Sequence, residues 1–207
     1  IYGTATYLDI IWKLTPEGNI SIFAGGGLGQ FSFVSKEGYA DGKGRAALFK
    51  DPHGIAFDSQ GNALVAEFGN FTIRKITPDG TVSTFAGKAG AQGVVDGAPT
   101  EARFSAPTHI TVDRTGNLYL ADLGGGGELV LGPNGGVTEF TANGMTFGTR
   151  AGGGVRRVTT NGVVSTLFVI DPEPKVDSGS CTPLIVPSGI EVAANGDIYL
   201  GEGARVR

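Results

Sequence analysis

Phe49-Lys50-Asp51-Pro52-His53-Gly54-Ile55-Ala56-Phe57-Asp58, followed by Gly61-Asn62-Ala63-Leu64-Val65-Ala66-Glu67 and by Ile73-Arg74-Lys75-Ile76-Thr77-Pro78-Asp79-Gly80-Thr81-Val82-Ser83-Thr84-Phe85-Ala86-Gly87, reads as four short strands joined by three turns. Apolar residues alternate, as at Ile55 and Phe57, with the period of a strand buried on one face. The first half of the phrase returns at Phe104-Ser105-Ala106-Pro107-Thr108-His109-Ile110-Thr111-Val112-Asp113 with Gly116-Asn117-Leu118-Tyr119-Leu120-Ala121-Asp122. It returns again at Pro187-Ser188-Gly189-Ile190-Glu191-Val192 with Asn195-Gly196-Asp197-Ile198-Tyr199-Leu200-Gly201-Glu202.

A four-stranded unit recurring about every 40 to 60 residues is the signature of a propeller blade. The expected fold is therefore all-β, a β-propeller array of about four blades or part-blades built from antiparallel four-stranded sheets. Glycine supplies 36 of 207 residues, and pairs such as Gly61-Asn62, Gly116-Asn117, Asn195-Gly196 and Asp79-Gly80 supply the positive φ of tight hairpins. Pro52, Pro107 and Pro187 precede each inner strand, where a missing N–H costs nothing. Two connectors share one spacing, Asp41-Gly42 to Phe49 and Asp96-Gly97 to Phe104, and their phenylalanines are expected to plug the space between sheets.

The run from Asp41 to Gly87, with its Ala-x-Phe, Pro-x-Gly-Ile-Ala-x-Asp, Gly-Asn, Asn and Ile-Arg-Lys-Ile-Thr-Pro-Asp-Gly elements, resembles an NHL-repeat blade. The usual Ala-Asp is replaced by Ala66-Glu67 and Gly201-Glu202, and the stretch from Gly124 to Gly154 lacks the Asn and the Ile-Arg-Lys. The chain reads as a single propeller segment, 1–207, with a partial blade at 1–25, a full one at 41–87, an expanded or doubled one at 96–168 and a partial one at 187–207. Within the third, either one blade carries an extra hairpin or a degenerate blade intervenes. Ile1-Tyr2 aligns with Leu118-Tyr119, which places the start at a second strand and the end at a third, so that both ends fall inside blades.

With a net charge of −4 and no Lys/Arg cluster, no electrostatic footprint for a phosphate backbone exists, and nucleic acid is not an expected partner. No apolar run reaches the roughly 18 to 20 residues of a membrane helix, so membrane insertion is not expected. Cys181 is the single cysteine, so no intrachain disulfide can form.

Residues at the leading ends of the inner strands converge on the mouth of the central channel, which makes His53, His109 and Ser188 candidate ligand-binding residues. The resemblance extends to the peptidyl-hydroxyglycine amidating lyases, related propellers in which a histidine after such a proline holds zinc. His53 matches that pattern; His109 is displaced by one residue, and the third copy has Ser188. Two histidines fall short of a zinc ligand set. Lactonase-like propellers hold calcium or zinc with axial acidic residues, so Asp58 and Asp113 join the two histidines as metal candidates, although their recurrence fits turn-stabilising roles. No cofactor is expected otherwise. Glu67, Asp122 and Glu202 also share one blade position and read as structural. Arg74, Lys75, Arg156 and Arg157 on third strands read as a solvated sheet face. Tyr119 and Tyr199 recur in register and read as packing between blades.

The leading functional expectation is a non-enzymatic binding or scaffold propeller that presents loops to a protein or glycan, in an extracellular or periplasmic setting. Two alternatives stand beside it: a metal-dependent lyase or hydrolase at the channel mouth, and a structural subunit that self-associates through open blade edges.

Overall fold

The computed structural model describes residues 1–26, 36–122, 128–131, 137–142, 145–148, 154–169, 189–202 and 205–206. All regular structure among them is antiparallel sheet, apart from short 3-10 turns at Thr6–Leu8 and Gly44–Ala46. The first sheet is β1 (Tyr2–Ala5), β2 (Ile10–Leu14) and β3 (Ile20–Ala24) in that order. The second runs through β4 (Gly42–Lys43), β5 (Pro52–Phe57), β6 (Ala63–Glu67), β7 (Thr72–Ile76) and β8 (Thr81–Gly87), with spatial order β4-β8-β7-β6-β5. It is the meander expected from the quoted phrase with one strand added. Gly42 and Lys43 pair with Val82 and Thr81 and cover the outer edge of the blade. Gly97 does the same in the next blade through two backbone hydrogen bonds with Val164. Each Asp-Gly connector thus caps an edge that would otherwise offer unpaired N–H and C=O groups.

The third blade is interrupted. It starts with β9 (Pro107–Val112) and β10 (Leu118–Asp122), after which β11 (Glu128–Leu131), β12 (Val137–Ala142) and β13 (Met145–Gly148) form a three-stranded sheet of their own. The chain then returns as β14 (Gly154–Val158) and β15 (Val164–Val169), giving the order β15-β14-β10-β9. The insertion therefore lies between the second and third strands of one blade. Finally β16 (Gly189–Val192), β17 (Ile198–Glu202) and β18 (Arg205–Val206) form a last antiparallel sheet.

The hairpin turns follow from local chemistry. Asp58 Oδ1 accepts from the Gln60 and Asn62 backbone N–H groups at 2.9 Å each, and Asp113 repeats the arrangement with Thr115 and Asn117 at 2.8 and 2.9 Å. Gly61 and Gly116 complete these turns at φ of 80° and 87°, a region that costs a side chain-bearing residue energy.

Two apolar clusters join the blades, and each connector phenylalanine sits in one. Fully buried Phe49 packs with Ile11 and Ala24 of the first sheet and Val65, Ile76 and Val82 of the second. Phe104 does the same between Leu64, Ile73 and Ala86 on one side and Ile110, Leu120 and Val158 on the other. Burying such a ring stabilises the fold by about 1.5–3 kcal/mol.

The third-strand arginines depart from expectation. Arg74 and Arg156 are fully buried, whereas Lys75 and Arg157 are only partly covered. Arg74 bridges Glu67 at 3.2 Å and Asp41 at 2.6 Å and donates to the Ala40 and Leu48 carbonyls. Arg156 bridges Asp122 at 2.8 Å and Asp96 at 2.9 Å and donates to the Val95 and Arg103 carbonyls. A guanidinium supplies enough donors to tie a connector to a blade, which is why a charge replaces an apolar residue inside the sheet stack. In the first sheet the same bulged register position holds Trp12, opposite Gly3. A Cβ at Gly3 would lie 2.3 Å from the indole, so the small residue makes room for the ring.

Candidate functional site

The leading ends of β5 and β9 are pinned by Pro52 opposite Glu67 and Pro107 opposite Asp122. Between Pro52 and Ile55 the ladder loses register, which frees His53 and Gly54 from regular pairing. Gly54 then meets the neighbouring blade: a Cβ there would stand 2.4 Å from the Thr108 carbonyl oxygen and 3.1 Å from the His109 Cα. This close approach of two inner strands brings the backbones at His53 and His109 side by side, despite their one-residue offset in the repeat, at the strand end termed the mouth. Both side chains are exposed. Thr4 and Thr6 of the first sheet fix the third wall, donating to the His53 and Pro52 carbonyls at 2.6 and 2.9 Å.

The mouth's electrostatics are set by partial desolvation. Burial, reinforced for His53 by neighbouring His109, lowers both imidazoles below the usual histidine range, so both are neutral at pH 7. Burial and then the nearby Asp9 carboxylate raise Asp51, whose backbone N–H donates to Asp9 Oδ1 at 2.8 Å. The His53 ring lies against Phe68, centroids 5.2 Å apart and planes tilted by 33°. The mouth therefore offers two uncharged donor–acceptor rings, one of them backed by the buried Phe68.

Phe68, Asp9, Asp51 and the two threonines were not singled out by the repeat. Phe68 belongs to the Phe68-Gly69-Asn70-Phe71 turn, and Asp51 adjoins the Pro-His pair, so proximity in sequence to His53 was the available signal. Ser188 and Cys181 lie outside the described residues.

Asp58 and Asp113 sit just past the far ends of β5 and β9, about 16 Å along the strand from His53 and about 13 Å from His109 respectively. Their oxygens are occupied by their own turns. Burial alone would raise the Asp113 carboxyl, but donors from Asn117 and Thr115 outweigh it and hold it at about 2. Asp58 is lowered in the same way by Asn62 and Gln60 against the opposing effect of burial. Glu67 and Asp122 accept from the loop N–H groups of Lys50 and of Ser105 and Ala106, and serve the arginine clamps. Zinc takes three or four protein ligands. Among the described residues no group of three His, Cys, Asp or Glu side chains is placed to share a metal ion.

Of the recurring tyrosines, Tyr2 packs between Phe23 and Phe57 at 5.0 and 4.9 Å, joining two sheets. Tyr119 instead donates to Asp113 at 3.2 Å within its own blade, and Tyr199 is 45% exposed. Among the described residues no helix is long and apolar enough to cross a membrane.

Comparison with known proteins adds the lineage. The family model described as NHL repeat matches residues 49–76. A protein of unknown function from Bacteroides thetaiotaomicron is 32% identical over 57% of this chain and 28% of its own, with a TM-score of 0.50. Virginiamycin B lyase from Staphylococcus aureus aligns over 97% of this chain and 44% of its own at 17% identity and a TM-score of 0.51. A gluconolactonase from Xanthomonas campestris aligns over 97% and 65% at 16% identity and a TM-score of 0.53. At those identities the last two speak for fold alone, and the chain spans less than two thirds of the length of each protein named. No curated protein sequence matches. Residues 49–76 of the quoted phrase match the NHL repeat, and the chain that carries them folds as antiparallel sheets of the β-propeller kind.

Proposed function

We propose that this chain is a binding propeller whose mouth, over His53 and His109, holds an uncharged polar ligand of the glycan class. The observation that carries the reading is the pair of neutral, exposed imidazoles brought together by the Gly54 contact and flanked by the Phe68 ring. Neutral imidazole both donates and accepts, matching sugar hydroxyls, and the buried Phe68 ring holds the His53 imidazole in place. The recurring acidic residues support the same reading, since the carboxylates of Glu67, Asp122, Asp58 and Asp113 are engaged in clamps and turns.

The test is a neutral oligosaccharide array followed by calorimetric titration of any binder against the parent, His53→Ala and His109→Ala proteins. Saturable binding lost in both variants supports the proposal; binding indifferent to both overturns it. Elemental analysis of the same preparations separates this reading from that of a metal-dependent lyase or hydrolase. Stoichiometric zinc that disappears with His53→Ala would replace the binding reading with that one.

A further inference from the structure

A second site lies on the flank of the propeller, away from the mouth. Between β8 and the connector that leads to Phe104 is a cleft of about 550 Å³, bordered by Tyr39, Thr84, Lys88, Thr100, Glu101 and Arg103. That volume falls within the roughly 300–1,000 Å³ of small-molecule sites.

Its walls are set by the buried clamp. The Arg74 guanidinium lies 4.8 Å from the Tyr39 ring centroid, and the Tyr39 hydroxyl and Thr84 Oγ1 share a hydrogen bond of 2.5 Å. Tyr39 is thereby held as a platform while remaining 45% exposed. Across the cleft, the two N–H groups of Arg103 Nη1 are shared among the carbonyls of Thr100, Glu101 and Ala102 at 3.0, 2.5 and 2.7 Å, which fixes its charge on the wall. Lys88 is exposed and has no ion-pair partner among the described residues.

The repeat distinguishes these residues from scaffold. Asp41 and Asp96 hold equivalent places through Arg74 and Arg156, so two residues earlier Tyr39 stands where the next blade has Val94. The Leu48 and Arg103 carbonyls serve the same arginine position, so Arg103 replaces a leucine. Thr84 and Thr166 both reach those aspartates, and four residues on Lys88 replaces Ile170. Tyr39 and Arg103 thus stand where the equivalent described places of the repeat are aliphatic, and Lys88 borders the same cleft.

We infer that this cleft binds a carboxylated sugar. The ring packs on Tyr39, the carboxylate meets Lys88 and Arg103, and the hydroxyls find acceptors and donors at Glu101, Thr84 and Thr100. Glu101, on the cleft wall, supplies a carboxylate that can accept from sugar hydroxyls.

The probes are digalacturonate and its dimethyl ester, which keeps both rings and removes both charges, titrated calorimetrically into the whole chain. Tyr39→Val and Arg103→Leu install the residues of the equivalent blade positions, and circular dichroism checks that each variant stays folded; Lys88→Gln removes the other cation. Digalacturonate is expected to bind saturably and more weakly as salt rises, with each variant and the ester weakening it by about fivefold or more. Tyr39→Val leaves mouth binding unaltered, which separates failure here from failure of the proposal above. Absence of saturable binding, equal binding of acid and ester, or binding indifferent to all three substitutions overturns the inference.

Discussion

Arg74→Met should be among the most damaging single substitutions in the chain, although it adds a helpful hydrophobe to a buried place. The guanidinium is fully buried and serves four acceptors: Glu67, Asp41 and the carbonyls of Ala40 and Leu48. Its loss leaves the fully buried Glu67 carboxylate with Thr72, Asn70 and the Lys50 N–H but no counter-charge. Burial already pushes Glu67 above the usual carboxylate range in the parent, with Arg74 the largest opposing influence. Breaking one side of a buried pair costs about 3–5 kcal/mol. Asp41 is half-exposed, so Asp41→Asn should cost about 1 kcal/mol or less. Replacing both buried charges, Arg74→Met with Glu67→Leu, should recover most of the loss, since apolar replacements of buried pairs are often neutral. The first sheet already uses such a solution, with Trp12 at the arginine position and Ala5 at that of the glutamate. Urea unfolding followed by circular dichroism and Trp12 fluorescence, arranged as a double-mutant cycle, measures the coupling. A single-variant loss below about 1 kcal/mol, or a double variant as unstable as Arg74→Met, would refute the clamp as a source of stability.

Phe104→Ala should destabilise by about 3–5 kcal/mol and loosen the second and third blades together, seen as lost amide-exchange protection on both sides of the plug. The Asp113 carboxyl, held at about 2, contributes stability that is present above its unfolded value near 3.9 and lost as pH falls through about 2. Asp113→Asn should therefore flatten the stability profile between about pH 4 and 2. Because burial lowers His53 and His109, mouth binding should hold unchanged down to about pH 6.5 and fail only at more acid pH. Imidazole titrations by NMR check this directly, and a midpoint at or above the unperturbed value would contradict the desolvated mouth.

The sequence alone determined the architecture of the repeat, because strand periodicity, Asx turns and pre-strand prolines are local chemistry. The alignment of Tyr2 with Tyr119 agrees with the strand pairing, in which β1 faces β2 as β10 faces β14. Phe49 and Phe104 were legible as plugs since both follow the same connector. Charge was where local reasoning misread the chain. Arg74 and Arg156 look like solvent-facing residues until Asp41 and Asp96, 33 and 60 positions away, close over them. The three-stranded insertion after Asp122 was likewise undecidable from pattern, because a hairpin reads the same whether it extends a blade or stands apart. At the mouth, His53 and His109 are out of register in the repeat and adjacent in space through the Gly54 contact. Periodicity reports which face a residue takes within its own sheet; which side chains meet across blades depends on how closely two backbones approach, and only the tertiary structure sets that distance.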